Sequence, residues 1–493
     1  MASTNPIKAL EVCKVSPYLE SPDSATESSF PITFFDIIWL RFHPIEQLFF
    51  YELTELTPAL FHSVVLPRLK HSLSLTLLHF LPLAGNLTWP SHASKPFILY
   101  TPGDGVALTV VESDADFHRL SGYHFQGVEE SVHYIPELSV TDSVASAMAV
   151  QITYFPNQGF CIGVSGHHAI LDGNSNIMFL KAWAHLCRQL EEYEHPSLSP
   201  ELIPCLDRTL VHDPEDLASS YLNLLAIMKQ KLMGTDSNPR SLKSMPFGSN
   251  DSTDKVRALF TLSREDIRKL RERVISGLEK LHKNSSLESL HLSTFVITYA
   301  YTLVCILRAT GLINDKKVFI LFAADCRARL EPAVPANYFG NCVIGCEIMT
   351  EAKSVLEENT GLAFLAKELC MVIMRLQKTS VYEKAKEQLS WSDLGHHEVA
   401  EGFGVAGSTR SDIYGTDFGW GRPKKVEVTS ISKARAISMA ESKDGNGGVE
   451  IGCVLTKPQM ESFCSIFACG LESQTDDIVK TRVNTSALEK THG

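Results

Sequence analysis

The chain has 493 residues, 44% of them apolar and 21% charged, with a mean hydropathy of +0.00. That composition excludes a disordered polymer or a fibre, and at about 150 residues per domain the length allows two to four domains. Forty-five basic against 57 acidic residues give a formal charge of −12, which excludes the basic footprint of nucleic-acid backbone binding but leaves room for a small anion in a local basic pocket.

The N-terminus, MASTNPIKALEVCKVSP, has no apolar core and no cleavage pattern. The longest apolar run, residues 294–307, is shorter than the ~20 residues a membrane helix needs. A cytoplasmic chain without membrane attachment is expected, in which the sequons at Asn86, Asn250, Asn284 and Asn484 carry no meaning. The 12 cysteines are scattered and form no Cys-x-x-Cys. They read as reduced, mostly buried thiols. Cys342 and Cys346 lack the second pair that a zinc site requires, so no metal is expected.

In chain order, apolar residues at three- and four-residue spacing predict a helix over 69–81, stopped by Pro82. Residues 148–155 and 160–164, joined by Pro156-Asn-Gln-Gly159, predict a hairpin. A helix follows over about 175–192. Residues 229–255, rich in Ser, Asn, Gly, Pro and Lys and without periodicity, predict a mobile linker. Beyond it the pattern restarts, with a strand at 257–262 and helices at 264–278 and 294–308. A buried strand at 318–323 and a helix at 361–376 come next. Strands at 434–440 and 449–455 flank Asp444-Gly-Asn-Gly-Gly448, a hairpin turn. The last helix ends near Leu471, and a polar tail occupies 472–493. Two α/β halves of similar size, joined by a crossover, are expected.

One stretch carries chemistry: Val164-Ser-Gly-His-His-Ala-Ile-Leu-Asp-Gly173, between a strand and a helix. An imidazole titrates near pH 6.5, so His168 in a cleft can take a proton from an alcohol. Asp172 then serves by pairing with a cation and fixing the turn, and Gly173 by allowing tight geometry. A buried core pair of histidines fits the same residues, and so, less well, does a metal site of His167, His168 and Asp172. A second stretch, Asp417-Phe-Gly-Trp-Gly421, brackets a large indole between Gly419 and Gly421 and reads as a tight loop packed under Trp420.

Together the two motifs resemble the plant BAHD acyl-CoA-dependent acyltransferases, which carry His-x-x-x-Asp near one third of the chain and Asp-Phe-Gly-Trp-Gly near its end. The resemblance spans about residues 8–471. It includes Pro31-Ile-Thr-Phe-Phe-Asp36 with Trp39, and Asp325-Cys-Arg-Ala-Arg329. Tyr338-Phe-Gly-Asn-Cys342 looks like the mark of the clade that acylates flavonoid, anthocyanin and phenolic glucosides.

The resemblance implies an α/β fold of two chloramphenicol-acetyltransferase-like domains with mixed sheets, flanking helices and an active-site tunnel between them. It implies an N-terminal domain over 1–215, to which 416–438 returns. A crossover over 216–256 and a C-terminal domain over 257–471 complete it. His168 matches the general base and Asp417 a residue sometimes described as catalytic. Asp172 matches an aspartate that turns from the substrate toward an arginine, for which Arg327 is the best candidate. Ser293 and Thr294 open a helix that also lies beside the phosphates of CoA, and Lys255 is placed to reach one. The implied reaction moves malonyl from malonyl-CoA, a cosubstrate and not a bound cofactor, to a sugar hydroxyl, usually at the 6-position. A monomer is expected. A hydroxycinnamoyl donor, a carrier-protein condensation domain and a catalytically silent binding protein remain as alternatives.

Overall fold

A computed structural model describes residues 7–18, 26–234, 238–245, 254–281, 290–313, 315–389 and 399–472. Two large mixed sheets and one small sheet organise the chain. The first large sheet runs in the order Ile7–Val15, Val106–Ser113, Met148–Phe155, Gly159–Gly166, Ile45–Glu52 and Lys425–Val428. Every residue of its central hairpin, Met148–Phe155 with Gly159–Gly166, is buried. Such strands are covered on both faces, so they read as continuous apolar runs and not as alternation. The helices Leu66–His79 and Gly173–Gln189 pack together beside them. A four-stranded sheet of Ser28–Pro31, Phe97–Tyr100, Asn86–Thr88 and Val144–Ser146 completes this half.

The second large sheet runs Val343–Glu351, Lys317–Asp325, Val399–Gly407, Ala436–Glu441, Val449–Thr456, Lys255–Leu262 and Gln126–Gly127. Its core helix, Thr294–Ala309, is buried at every position from Val296 to Leu307. It packs against Arg264–Leu281, Gly361–Leu376 and Lys457–Cys469. An all-round apolar helix of 16 residues is a core helix, and among the described residues no helix is long and apolar enough to cross a membrane. Eight of the twelve cysteines are buried.

The halves trade edge strands. Lys425–Val428, late in the chain, pairs antiparallel with Ile45–Glu52. Gln126–Gly127, early in the chain, pairs with Lys255–Leu262. Residues 436–438, the end of the segment expected to return to the first half, belong to the strand Ala436–Glu441 of the second sheet.

Two local expectations give way. The helix predicted to run to Leu81 ends at His79, because Phe80 leaves helical geometry at φ −109 and ψ 47, and Pro82 sits inside a separate turn, Leu81–Ala84. The predicted linker is not without structure. Leu217–Met233 is a helix, and Arg41, 1% exposed, donates to the carbonyls of Leu225 (2.9 Å), Ser241 (2.9 Å) and Pro239. A buried guanidinium must satisfy its donors, and here the carbonyls of Pro239 and Ser241 in the aperiodic segment do so together with Leu225 of the helix before it. Residues 235–237 and 246–253 lie outside the described residues, as does most of the tail expected over 472–493.

Candidate active site

His168 stands in the turn between the Gly159–Gly166 strand and the Gly173–Gln189 helix. Asp172 builds that turn. It is the helix N-cap, extended at φ −89 and ψ 180, and accepts the Ser175 N–H at 2.8 Å. Both of its oxygens meet Arg327, at 3.0 Å (Nη1 to Oδ2) and 3.1 Å (Nη2 to Oδ1), a bidentate pair buried on both sides. The Cys342 N–H donates to Oδ2 at 3.1 Å. Arg327 also reaches the carbonyls of Tyr338 and Gly340 and the Ser175 hydroxyl. The turn of the first half is thus bolted to the second half through Asp172. Gly173 plays a smaller part than expected. It is an ordinary first helical residue and a Cβ there would touch nothing, since the extended N-cap already makes the bend.

A second buried clamp escaped the sequence. Asp36, fully buried, takes Thr33 N–H and hydroxyl donors at 2.7 and 2.9 Å and Arg208 at 2.7 Å. It also accepts both N–H groups of Asn341, at 3.0 and 3.1 Å. Two of these partners then grip the backbone of the turn: Asn341 Nδ2 donates to the His168 carbonyl at 2.8 Å and Arg208 Nη2 to the Ile170 carbonyl at 3.0 Å. Asp36 and Asn341 lie in stretches that the resemblance marks. Arg208 lies in neither, and only its burial reveals it.

The two histidines differ. His167 Nδ1 accepts the Ala169 N–H at 3.2 Å, and its backbone N–H bonds to the Ala147 carbonyl. It is a satisfied core residue, with its pKa pulled to about 4 by burial. His168 lies flat against Trp39, with ring centroids 4.1 Å apart and planes 4° from parallel. Phe42 meets the same ring edge-on at 5.6 Å. Burial pulls the His168 pKa to about 3, with Asp172 acting the other way. A neutral imidazole at all physiological pH can accept a proton.

The Asp417-Phe-Gly-Trp-Gly421 loop lies elsewhere. Asp417 Oδ1 accepts the N–H groups of Gly419 (2.8 Å) and Gly421 (2.9 Å), so the carboxylate caps its own loop. Gly419 and Gly421 sit at φ +102 and +91, where glycine is favoured. Trp420 packs on Phe160 and takes Arg68 over its face at 3.8 Å. Phe160 is six residues before Gly166 on one strand, so this loop is roughly 20 Å from the His168 turn at ~3.3 Å per residue. The residue matched to a catalytic role is therefore not beside His168. Ser293 N-caps the Thr294–Ala309 helix through the Val296 N–H (3.3 Å), and Lys255 opens the Lys255–Leu262 strand.

A model of the Transferase family matches residues 12–468. The chain belongs to the BAHD acyltransferase family. This BAHD chain is 42% identical to phenolic glucoside malonyltransferase 1 of Arabidopsis thaliana, over 95% of the chain and 98% of that protein. It is 41% identical to the malonyl-CoA:anthocyanidin 5-O-glucoside-6''-O-malonyltransferase of the same plant, over 94% and 98%. Among solved structures, vinorine synthase matches with a TM-score of 0.65 at 21% identity, covering 92% of this BAHD chain and 96% of its own. At that identity the likeness concerns the fold.

Proposed function

We propose that the chain transfers a malonyl group from malonyl-CoA to a sugar hydroxyl, at the 6-position, of a flavonoid, anthocyanin or phenolic glucoside. The reaction class rests on one observation: a neutral imidazole clamped where the two halves meet. The substrate class rests on relatives named as glucoside malonyltransferases. His168 takes the proton of the sugar hydroxyl as its oxygen bonds to the thioester carbonyl carbon. The tetrahedral adduct then collapses, the C–S bond breaks, and the imidazolium returns the proton to the CoA thiolate. Asp172 and Arg327 hold the turn and do not touch substrate.

CoA enters from one side and the glucoside from the other of a passage between the halves. Its phosphates meet the N-terminus of the Thr294–Ala309 helix, beside Ser293 and Thr294, with Lys255 nearby. Residues 1–215 with the returning strand, and 257–471, act as the two domains. The chain works as a monomer in the cytoplasm, with no resident cofactor or metal. Incubating it with malonyl-CoA and coumaroyl-CoA in competition, against a set of glucosides, tests the reading by mass spectrometry. A malonylated glucoside, lost on His168→Ala, is the expected result. Preferential coumaroyl transfer overturns the donor assignment, and release of CoA unaffected by His168→Ala overturns the role of His168.

A further inference from the structure

A second imidazole beside His168 has no task in the scheme above. In the pairing of Ile45–Glu52 with Gly159–Gly166, Ile45 stands opposite Gly166. The ladder ends there, because Pro44 has no N–H with which to continue it, and His43 and His168 follow just beyond the ends of the two strands. Phe42 touches both rings, 4.4 Å from that of His43 and 5.6 Å from that of His168.

The backbone fixes the tautomer of His43. Its Nδ1 lies 3.2 Å from the Pro44 carbonyl oxygen. A carbonyl can only accept, so that nitrogen carries the proton. Nε2 is then a bare lone pair. It is buried and has no hydrogen-bond partner among the described residues. Burial first, then Lys433, holds the pKa of His43 down to about 4, so the ring stays an acceptor at neutral pH.

Glu46, three residues on, accepts Lys433 Nζ on Oε1 at 2.6 Å, and its buried Oε2 has no donor among the described residues. The unused polar atoms contributed by His43 and Glu46 are therefore acceptors. Such atoms suit hydroxyl donors and offer nothing to a carboxylate or phosphate, and the nearby Lys433 cation is already paired with Glu46. A glycosyl group supplies several hydroxyls, whereas malonyl and the CoA phosphates supply anionic oxygens.

We propose that His43 binds the alcohol substrate, its Nε2 accepting a hydrogen bond from a glycosyl hydroxyl other than the one that His168 deprotonates. This deepens the acyl-transfer reading and rests on it. The test uses the full chain, malonyl-CoA, phenyl glucoside and the 2-, 3- and 4-deoxy forms of that glucoside. His43→Phe is expected to lower kcat/KM for the intact glucoside about 10- to 100-fold, with the KM for malonyl-CoA unchanged. His43→Gln, which can offer an amide oxygen, is expected to recover part of the loss and controls for folding. One deoxy substrate should lose the same factor with the native chain and lose nothing more with His43→Phe.

Unchanged kcat/KM in His43→Phe overturns the proposal. So does a loss confined to the KM for malonyl-CoA, or deoxy penalties that persist in full in the variant. A native chain that acylates no glucoside overturns the acyl-transfer reading and the proposal with it. Normal native turnover with an indifferent His43 overturns the proposal alone.

Discussion

The two motif loops of this chain are held in opposite ways. The His168 turn borrows its order from far away: Arg327 and Asn341 come from the second half, and Asp36 and Arg208 from distant parts of the first. The Asp417 loop is tied at its centre by its own carboxylate on two of its N–H groups, and Arg68 lies over its tryptophan and donates to its Phe418 carbonyl. The first loop is thus sensitive to how the halves meet, and the second to its own backbone and to its packing on Phe160, Trp183 and Arg68 of the first half. A motif that marks a family so clearly can lie well away from its chemistry.

The sharpest break between the two loops is at His168. His168→Ala should cost about 10²- to 10⁴-fold in kcat, with the thermal midpoint nearly unmoved, whereas no change at Asp417 should alter kcat per folded molecule on that scale. Next comes the bolt. Arg327→Leu leaves Asp172 buried and unpaired, and a loss of about 3–5 kcal/mol in stability is expected by denaturant titration.

Acid then separates the buried histidines from the rest of the chain. His167, His43 and His168 are held at about 4, 4 and 3 in the folded chain, against about 6.5 unfolded. The unfolded chain therefore binds protons first as pH falls. Stability is full above about pH 6.5 and is lost below it, by roughly 1.4 kcal/mol per pH unit for each histidine down to about pH 4. Burial also lowers the pKa of His79, which adds to the same trend; thermal unfolding from pH 7 to 5 should show this slope, and His167→Gln should reduce it.

Asn341→Ala removes the Nδ2 donor to the His168 carbonyl and to Asp36 while its backbone N–H still reaches Asp36, so about 2 kcal/mol and a lower kcat are expected together. The smallest effect belongs to the Asp417 loop. Asp417→Ala should cost about 1–2 kcal/mol, and Asp417→Asn, which keeps an acceptor oxygen, less. A fall in kcat per folded molecule with Asp417→Asn as large as that with His168→Ala would sink the contrast.

Much of this was legible before the fold was seen. The hairpin leading to His168 is a run of buried apolar residues with a Pro-Asn-Gln-Gly turn, and the helix after it begins at a strong N-cap. Asp172 and Arg327, 155 residues apart in sequence, were joined only through the family resemblance. The strand Val399–Gly407 was missed because three of its nine residues are glycine, which weakens any strand signal. Arg208 was missed because its partner Asp36 is 172 residues away, and no local pattern announces a buried guanidinium. The stacked pair of Trp39 and His168 is a similar case: each residue drew notice, but their contact is tertiary.

The traded edge strands have a consequence for how the chain is made. A ribosome releases residues 1–215 long before Lys425–Val428, yet that strand closes the first sheet beside Ile45–Glu52. Until it arrives, the nascent first half presents an open sheet edge next to the turn that carries His168. Open edges invite pairing with other chains. Synthesis thus leaves the earlier half unfinished for nearly the whole of translation, and a stop codon placed shortly before residue 425 should yield aggregate and not a smaller enzyme.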